Sequence, residues 1–236
     1  MPNFQAGKDF VEAISEVTCL LEIARSGEGL HPAHPAHTAH AALLKSSVLL
    51  LMTKVESFLE SILEECRYFL EQCDLKTSVL PNEMIVAILQ STFDDSLIAK
   101  VRSGNIQALE RLKHLSPFLS GSRSVNLPIE IKFSYGRHGE NEVRKIFKKM
   151  GVADIFHSVG LLESAKASDN DFSSVITADI NSLTAIRNNI IHSDASPAFT
   201  VEQVEGFVGR FSTFALLVVS LLTSHCNELR AADAVK

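Results

Sequence analysis

Residues 183–196 read LTAIRNNIIHSDAS and group a strong cation, a carboxamide and an imidazole at the end of an apolar helical pattern. Arg187 supplies a permanent planar cation, Asn188 a carboxamide, and His192 an imidazole, a group that titrates near neutrality. A guanidinium forks onto phosphate oxygens, and an imidazole can take or give a proton. Together they could hold an anion and move a proton beside it. Around them Ile176, Ile180, Leu183, Ile186 and Ile190 recur at helical spacing. The pattern stops at Ser193-Asp194, and Pro197 forbids simple continuation. His192 is therefore expected in or just past the last helical turn.

The spacing restricts what one chain can do. Residues five apart on a helix are rotated by about 140° and separated by about 7.5 Å along the axis. A straight helix does not aim Arg187 and His192 at one small ligand. They converge if the helix loosens at His192, or if a second subunit supplies half of the site. The bare spacing is also unspecific. Arg25 and His31 bracket Ser26-Gly27-Glu28-Gly29 in a similar way, but the glycines there argue for a loop. A surface cation and a histidine favoured by the helix C-terminal dipole would give the same pattern.

RNNIIH at the end of an apolar helix, followed by a short loop and another long apolar helix, resembles the HEPN superfamily. The family signature is Arg, then Asn, Asp or His, then a few residues and His; Asn188 fits its second position. The early helix LLLMTKVESFLESILEE, the Leu80-Pro81 helix entry and FSYGRHGENEVRKIFKKMGVADIF resemble the RiboL-PSP-HEPN branch. The likeness runs from about residue 40 to 225. It implies a dimer with the motif at its interface and metal-independent ribonuclease activity of the toxin–antitoxin or antiphage kind. On that reading RNA is the substrate and no cofactor is required.

The elements that must position the motif follow from periodicity. Residues 8–26 fit an amphipathic helix ending at Ser26-Gly27. HPAHPAHTAH, residues 31–40, sets His31, His34, His37 and His40 at every third position. Imidazoles so spaced could take a metal, but no cysteine or carboxylate completes the set, so a proline-ordered linker is expected and no metal site. Thr38 can cap a long helix to about residue 73, with Leu44, Val48, Leu51, Val55, Phe58, Ile62, Cys66 and Phe69 as its stripe. Glu56 borders that stripe and is a candidate to orient Arg187 or His192. Pro81 opens a helix expected to continue to about residue 102, and a shorter one carries Ile106, Leu109, Leu112 and Leu115. IEIKF, residues 129–133, alternates like a short strand or extended arm.

Residues 140–150 should form a helix with Val143, Ile146, Phe147 and Met150 on one face and Arg144, Lys145, Lys148 and Lys149 on the other. Residues 122–150 carry seven basic and three acidic side chains, a local excess of four positive charges in a chain of net charge −6. The four cations of the helix are therefore candidate RNA-backbone contacts, although a solvated face would look alike. Thr200 and Gln203 form a capping box for the last helix, expected to reach about Leu229 before the tail frays.

Composition sets the remaining bounds. A chain of 236 residues with 46 % hydrophobic content can build its own core. Its four cysteines show no C-x-x-C pair, so reduced thiols and a cytoplasmic location are expected. MPNFQAGKDF lacks the features of a signal peptide, and the longest apolar run, Phe214 to Leu222, is too short for a bilayer. No P-loop, Rossmann glycine pattern, zinc finger or G-x-S-x-G occurs. The expectation is an all-α bundle of about seven or eight helices. Residues 1–37 form an N-terminal helix and linker, 38–230 the HEPN-like domain and 231–236 a frayed tail. The favoured function is an endoribonuclease that works as a homodimer, with an antitoxin or defence-system protein as a further partner. The alternative is a non-catalytic module that dimerises or docks a partner.

Overall fold

The structure, a computed structural model, describes residues 2–31, 33–93, 95–110, 113, 120–121, 129, 131, 139–164, 171–194 and 199–235. Among these there is no strand; the chain is built from α1 (Ala6–Arg25), α2 (Pro35–Gln72), a 3-10 turn (Thr77–Val79), α3 (Asn82–Thr92), α4 (Asp95–Arg102), α5 (Glu140–Lys149), α6 (Ile155–Ser164), α7 (Phe172–Ser193) and α8 (Val201–Val235). A further helical stretch begins at 106–110. The all-α bundle expected from periodicity is what forms.

Two long helices set the frame. The stripe of α2 buries Leu44, Val48, Leu51, Val55, Phe58, Leu59, Ile62, Leu63 and Cys66. It is wide enough to meet α1 on one side and α7 and α8 on the other. In α8, Val204, Phe211, Phe214, Val218, Leu222 and Cys226 are buried. Phe147 and Phe156 fill the space below α7, and truncating either to Ala would cost about 3–5 kcal/mol. Cys66 and Cys226 meet in this core with Sγ atoms 3.1 Å apart, both as free thiols. The hydrogen bond to Cys226, together with burial, holds the Cys66 thiol well above its ordinary range. α1 packs along α2 and α8: its Ala6 N–H donates to Glu65 Oε1 at 3.1 Å, and Arg25 pairs with Glu205 at 2.8 Å.

Several boundaries differ from the sequence expectations, each for a local reason. α2 starts at Pro35, before Thr38, because Pro35 already has a helical φ at the first position and the His34 side chain caps it, accepting from the Ala36 N–H at 3.1 Å. The helix expected over 82–102 is two helices. Phe93 leaves the helical region (φ −97°, ψ 60°), and Asp94-Asp95-Ser96 is a composition that favours a new helix start. α8 runs past Leu229 to Val235, and Asp233 Oδ1 accepts from the Lys76 N–H at 3.0 Å. By length and composition Val201–Ala234 is long and apolar enough to cross a bilayer, a property that the short Phe214 to Leu222 run alone did not reveal. Its apolar face is the core contact with α1 and α2. Of the IEIKF segment, only Ile129 and Ile131 are described; both are buried, as alternation requires. The rest of that segment and Arg123, Lys132 and Arg137 lie outside the described residues.

Candidate functional site at the end of α7

α7 begins at Asp171, whose carboxylate accepts from the Ser174 N–H at 3.3 Å. Ile176, Ile180, Leu183 and Ile190 are buried and fix its rotation. It ends at Asp194, which adopts a left-handed conformation (φ 48°) and turns its N–H back onto the carbonyls of Ile190 and Asn189. Lys45 of α2 secures this end, with Nζ 2.8 Å from the Asp194 carbonyl oxygen and 2.7 Å from Oδ1. The Lys45 hydrogen bond and charge hold the Asp194 carboxyl below its ordinary range.

The helix is therefore regular through Ser193 and does not loosen at His192. His192 is exposed in the last turn, and Asn188 lies one turn before it on the same side. Arg187 is half-buried on a different side. Within one chain the two groups stay apart, separated by about 7.5 Å along the axis and 140° around it.

Arg187 has a counter-charge in Glu56 of α2. Burial pushes the Glu56 carboxyl above its ordinary value, the Arg187 guanidinium pulls it down, and Glu60 pushes it up. Glu56 and Arg187 thus face each other at the α2–α7 contact, whereas His192 points away to solvent.

A second ion pair was not foreseen from the sequence. Arg210 of α8 grips Asp179 of α7 through two guanidinium nitrogens, one at 3.2 Å and one closer, while lying 5.1 Å from the centre of the Phe207 ring. It braces the α7–α8 contact beside an open cleft of about 580 Å³. Thirty-one residues separate the two charges, so no local pattern announces them. The capping box at the head of α8 does form: the Thr200 N–H donates to Gln203 Oε1 at 3.0 Å, and the Gln203 N–H to Thr200 Oγ1 at 3.3 Å.

The basic helix α5 is placed elsewhere. Its Glu140 N–H donates to Asn181 Oδ1 of α7 at 3.0 Å. Its far end is held by His225, whose Nε2 lies 2.9 Å from the Met150 carbonyl oxygen. His225 sits about 36 Å along α8 from Val201, so Lys148 and Lys149 lie at the opposite end of the bundle from His192. Arg144 is engaged within the fold, paired with Asp154, 3.7 Å from Glu140 and 4.7 Å from the centre of the Phe156 ring. Lys145 lies 3.8 Å from Glu142, and Lys148 is exposed beside a groove shared with α3.

The histidine run is occupied structurally. His31 and His34 accept from backbone N–H groups two residues on, and His40 Nδ1 lies 2.7 Å from the Ala24 carbonyl oxygen. Among the described residues, no group of three or more His, Cys, Asp or Glu is arranged to hold a metal ion.

Comparison with known proteins bears on this arrangement. The RiboL-PSP-HEPN family model matches residues 10–208, from α1 to the first turns of α8, so the whole RNNIIH helix falls inside it. Neither the curated proteins nor the solved structures gave a match. With most of its length covered by that match, the chain belongs to the RiboL-PSP-HEPN family.

Proposed function

We propose that the protein is an endoribonuclease that cleaves RNA without a metal ion, using Arg187, Asn188 and His192 at an interface between two copies of the chain. The observation that carries this reading is an Arg-Asn…His element on an exposed, capped helix end in a RiboL-PSP-HEPN chain. The 2′-hydroxyl oxygen of the substrate attacks the adjacent phosphorus, and the bond to the 5′-oxygen breaks. One imidazole takes the hydroxyl proton, and another acid protonates the leaving oxygen. Arg187 stabilises the added negative charge on the phosphorane. Asn188 lies on the His192 side and orients the imidazole or donates to phosphate; Glu56 orients Arg187. In a site shared between subunits, His192 of one copy acts beside Arg187 of the other. The products are a 2′,3′-cyclic phosphate and a 5′-hydroxyl.

The protein so described works in a reducing cytoplasm and is paired with an antitoxin or defence-system protein. The test is cleavage of single-stranded RNA by purified His192→Ala protein in the presence of EDTA. Wild-type activity should survive the chelator, and the variant should lose it while keeping its melting temperature. If the variant cleaves like wild type, the nuclease assignment at this site fails, and a non-catalytic dimerisation or docking module becomes the better reading.

A further inference from the structure

The cleft between α7 and the head of α8 runs between Asp179, Ser182 and Ala185 on one wall and Phe199, Glu202 and Gln203 on the other. Helix register relates it to the motif. Residues seven apart return to nearly the same side of an α-helix. Ser182 is seven residues before Asn189, and Ala185 seven before His192. The cleft therefore opens on the His192 side of α7, about 10 Å along the axis from the imidazole position. That is within the reach of a nucleotide or two.

The lining chemistry selects among occupants. At about 580 Å³ the cleft is in the size range of small-ligand sites. Phe207 is buried, with Arg210 over its face, and it props the half-buried Phe199 edge to face with centroids 5.6 Å apart, so Phe199 presents the aromatic surface on which a base can stack. Gly206 keeps the wall low: a Cβ there would come within 3.1 Å of Arg210 Nη1. The charges disfavour a phosphate, because Arg210 is committed to Asp179 and Glu202 adds a further carboxylate at the mouth. Ser182, Glu202 and the Gln203 amide can exchange hydrogen bonds with the edge of a neutral base.

We infer that this cleft holds an unpaired nucleobase of the RNA whose phosphodiester is cut at His192. The inference rests on the proposed nuclease reading but concerns a separate surface, so binding tests it independently. The probe is a short 2′-O-methyl RNA, which cannot be cleaved, carrying 2-aminopurine at one position after another, mixed with the full chain. One position should change fluorescence on binding. Ala185→Phe, an exposed position whose new ring fills the cleft, should abolish that change. It should also weaken binding about ten- to a hundredfold, the loss of one stacked base. Leu161→Phe, which adds a ring at an exposed position of α6 outside the cleft, should bind as wild type, and all three proteins should melt alike. The inference is overturned if no position responds in wild type, or if the response persists in Ala185→Phe. It is equally overturned if Ala185→Phe changes the oligomeric state, which would make the cleft a seat for another protein surface. If His192→Ala loses cleavage while no position responds, the nuclease reading stands without the base pocket. If a position responds but His192→Ala still cleaves, the pocket stands and the catalytic assignment falls.

Discussion

Lys45 Nζ lies 2.7 Å from Asp194 Oδ1 and 2.8 Å from the Asp194 carbonyl oxygen, so one lysine of α2 holds both the side chain and the backbone where the RNNIIH helix stops. The bond spans 149 residues of sequence and fixes the last turn, which carries His192. Lys45→Met should free that turn with little change in melting temperature, because Asp194 is an exposed partner. Amide exchange at Asp194 should quicken and RNA cleavage should slow. Because Lys45 lowers the Asp194 carboxyl below its ordinary value of 3.8, the tie is intact above that value and is lost only as pH falls through the lower folded value. A fall in activity between pH 7 and 5 must therefore come from another group. Unchanged exchange in Lys45→Met would show that the left-handed cap holds without the lysine.

Glu56 predicts an opposition between stability and activity. Its folded carboxyl is raised, chiefly by burial, above the ordinary value of 4.5. A raised carboxyl contributes stability below the unfolded value and loses it as pH rises through the folded one, so its ionised form strains the fold at neutrality. Glu56→Gln should melt higher than wild type at pH 7 and gain nothing near pH 3, where both are neutral. Cleavage should fall, because Arg187 loses the carboxylate that opposes it. A variant less stable at pH 7 would mean that the attraction to Arg187 outweighs the cost of burial.

What the sequence made legible was local. The Thr200–Gln203 box, the wide stripe of α2 and the Arg-Asn…His element each lie within a few turns of chain, where spacing alone is informative. At the end of α5, Gly151 takes φ 81° with the Val152 N–H on the Phe147 carbonyl at 3.1 Å, a left-handed terminator that glycine adopts without strain. The start of α2 was misplaced because a histidine cap followed by proline competes with the more familiar threonine. Lys45–Asp194 and Asp179–Arg210 were illegible because each joins residues made neighbours only by packing. The same is true of the distance between α5 and His192. The cations of α5 are evident in the sequence, but their place at the other end of α8 follows from the bond between His225 and Met150.

That distance shapes the prediction for the lysines. If Lys145, Lys148 and Lys149 contact RNA backbone, they do so far from the cut, along a molecule long enough to span the bundle. Changing the three to Glu should weaken binding of a long single strand and reduce its salt slope by about two, roughly 0.7 for each phosphate no longer neutralised. A short oligonucleotide that reaches only the α7 end should bind and be cut as before. Equal effects on both lengths would point to the general field of the protein, and no effect on either to a solvated helix face.

The regular helix through Ser193 leaves one simple way for Arg187 and His192 to meet, which is across two subunits. Complementation between inactive proteins tests this directly. Arg187→Ala keeps His192, and His192→Ala keeps Arg187, so each alone should be inactive. In a mixed dimer with shared sites, one site combines both substitutions and the other has both native residues. Unfolding and refolding an equal mixture should make about half the dimers mixed, each with one working site, and so restore about a quarter of wild-type activity. If each chain held a complete site, every site in the mixture would lack one residue and nothing would be restored. A strict monomer in sedimentation at micromolar concentration would give the same negative result, so the mass must be measured on the same samples. Restored cleavage would also separate the roles of the two residues. Arg187→Lys keeps the charge but loses the bidentate fork, and should be rescued by His192→Ala as fully as Arg187→Ala is. A dimer that forms but never recovers activity would leave the two groups about 7.5 Å apart along one helix, with no shared phosphate between them.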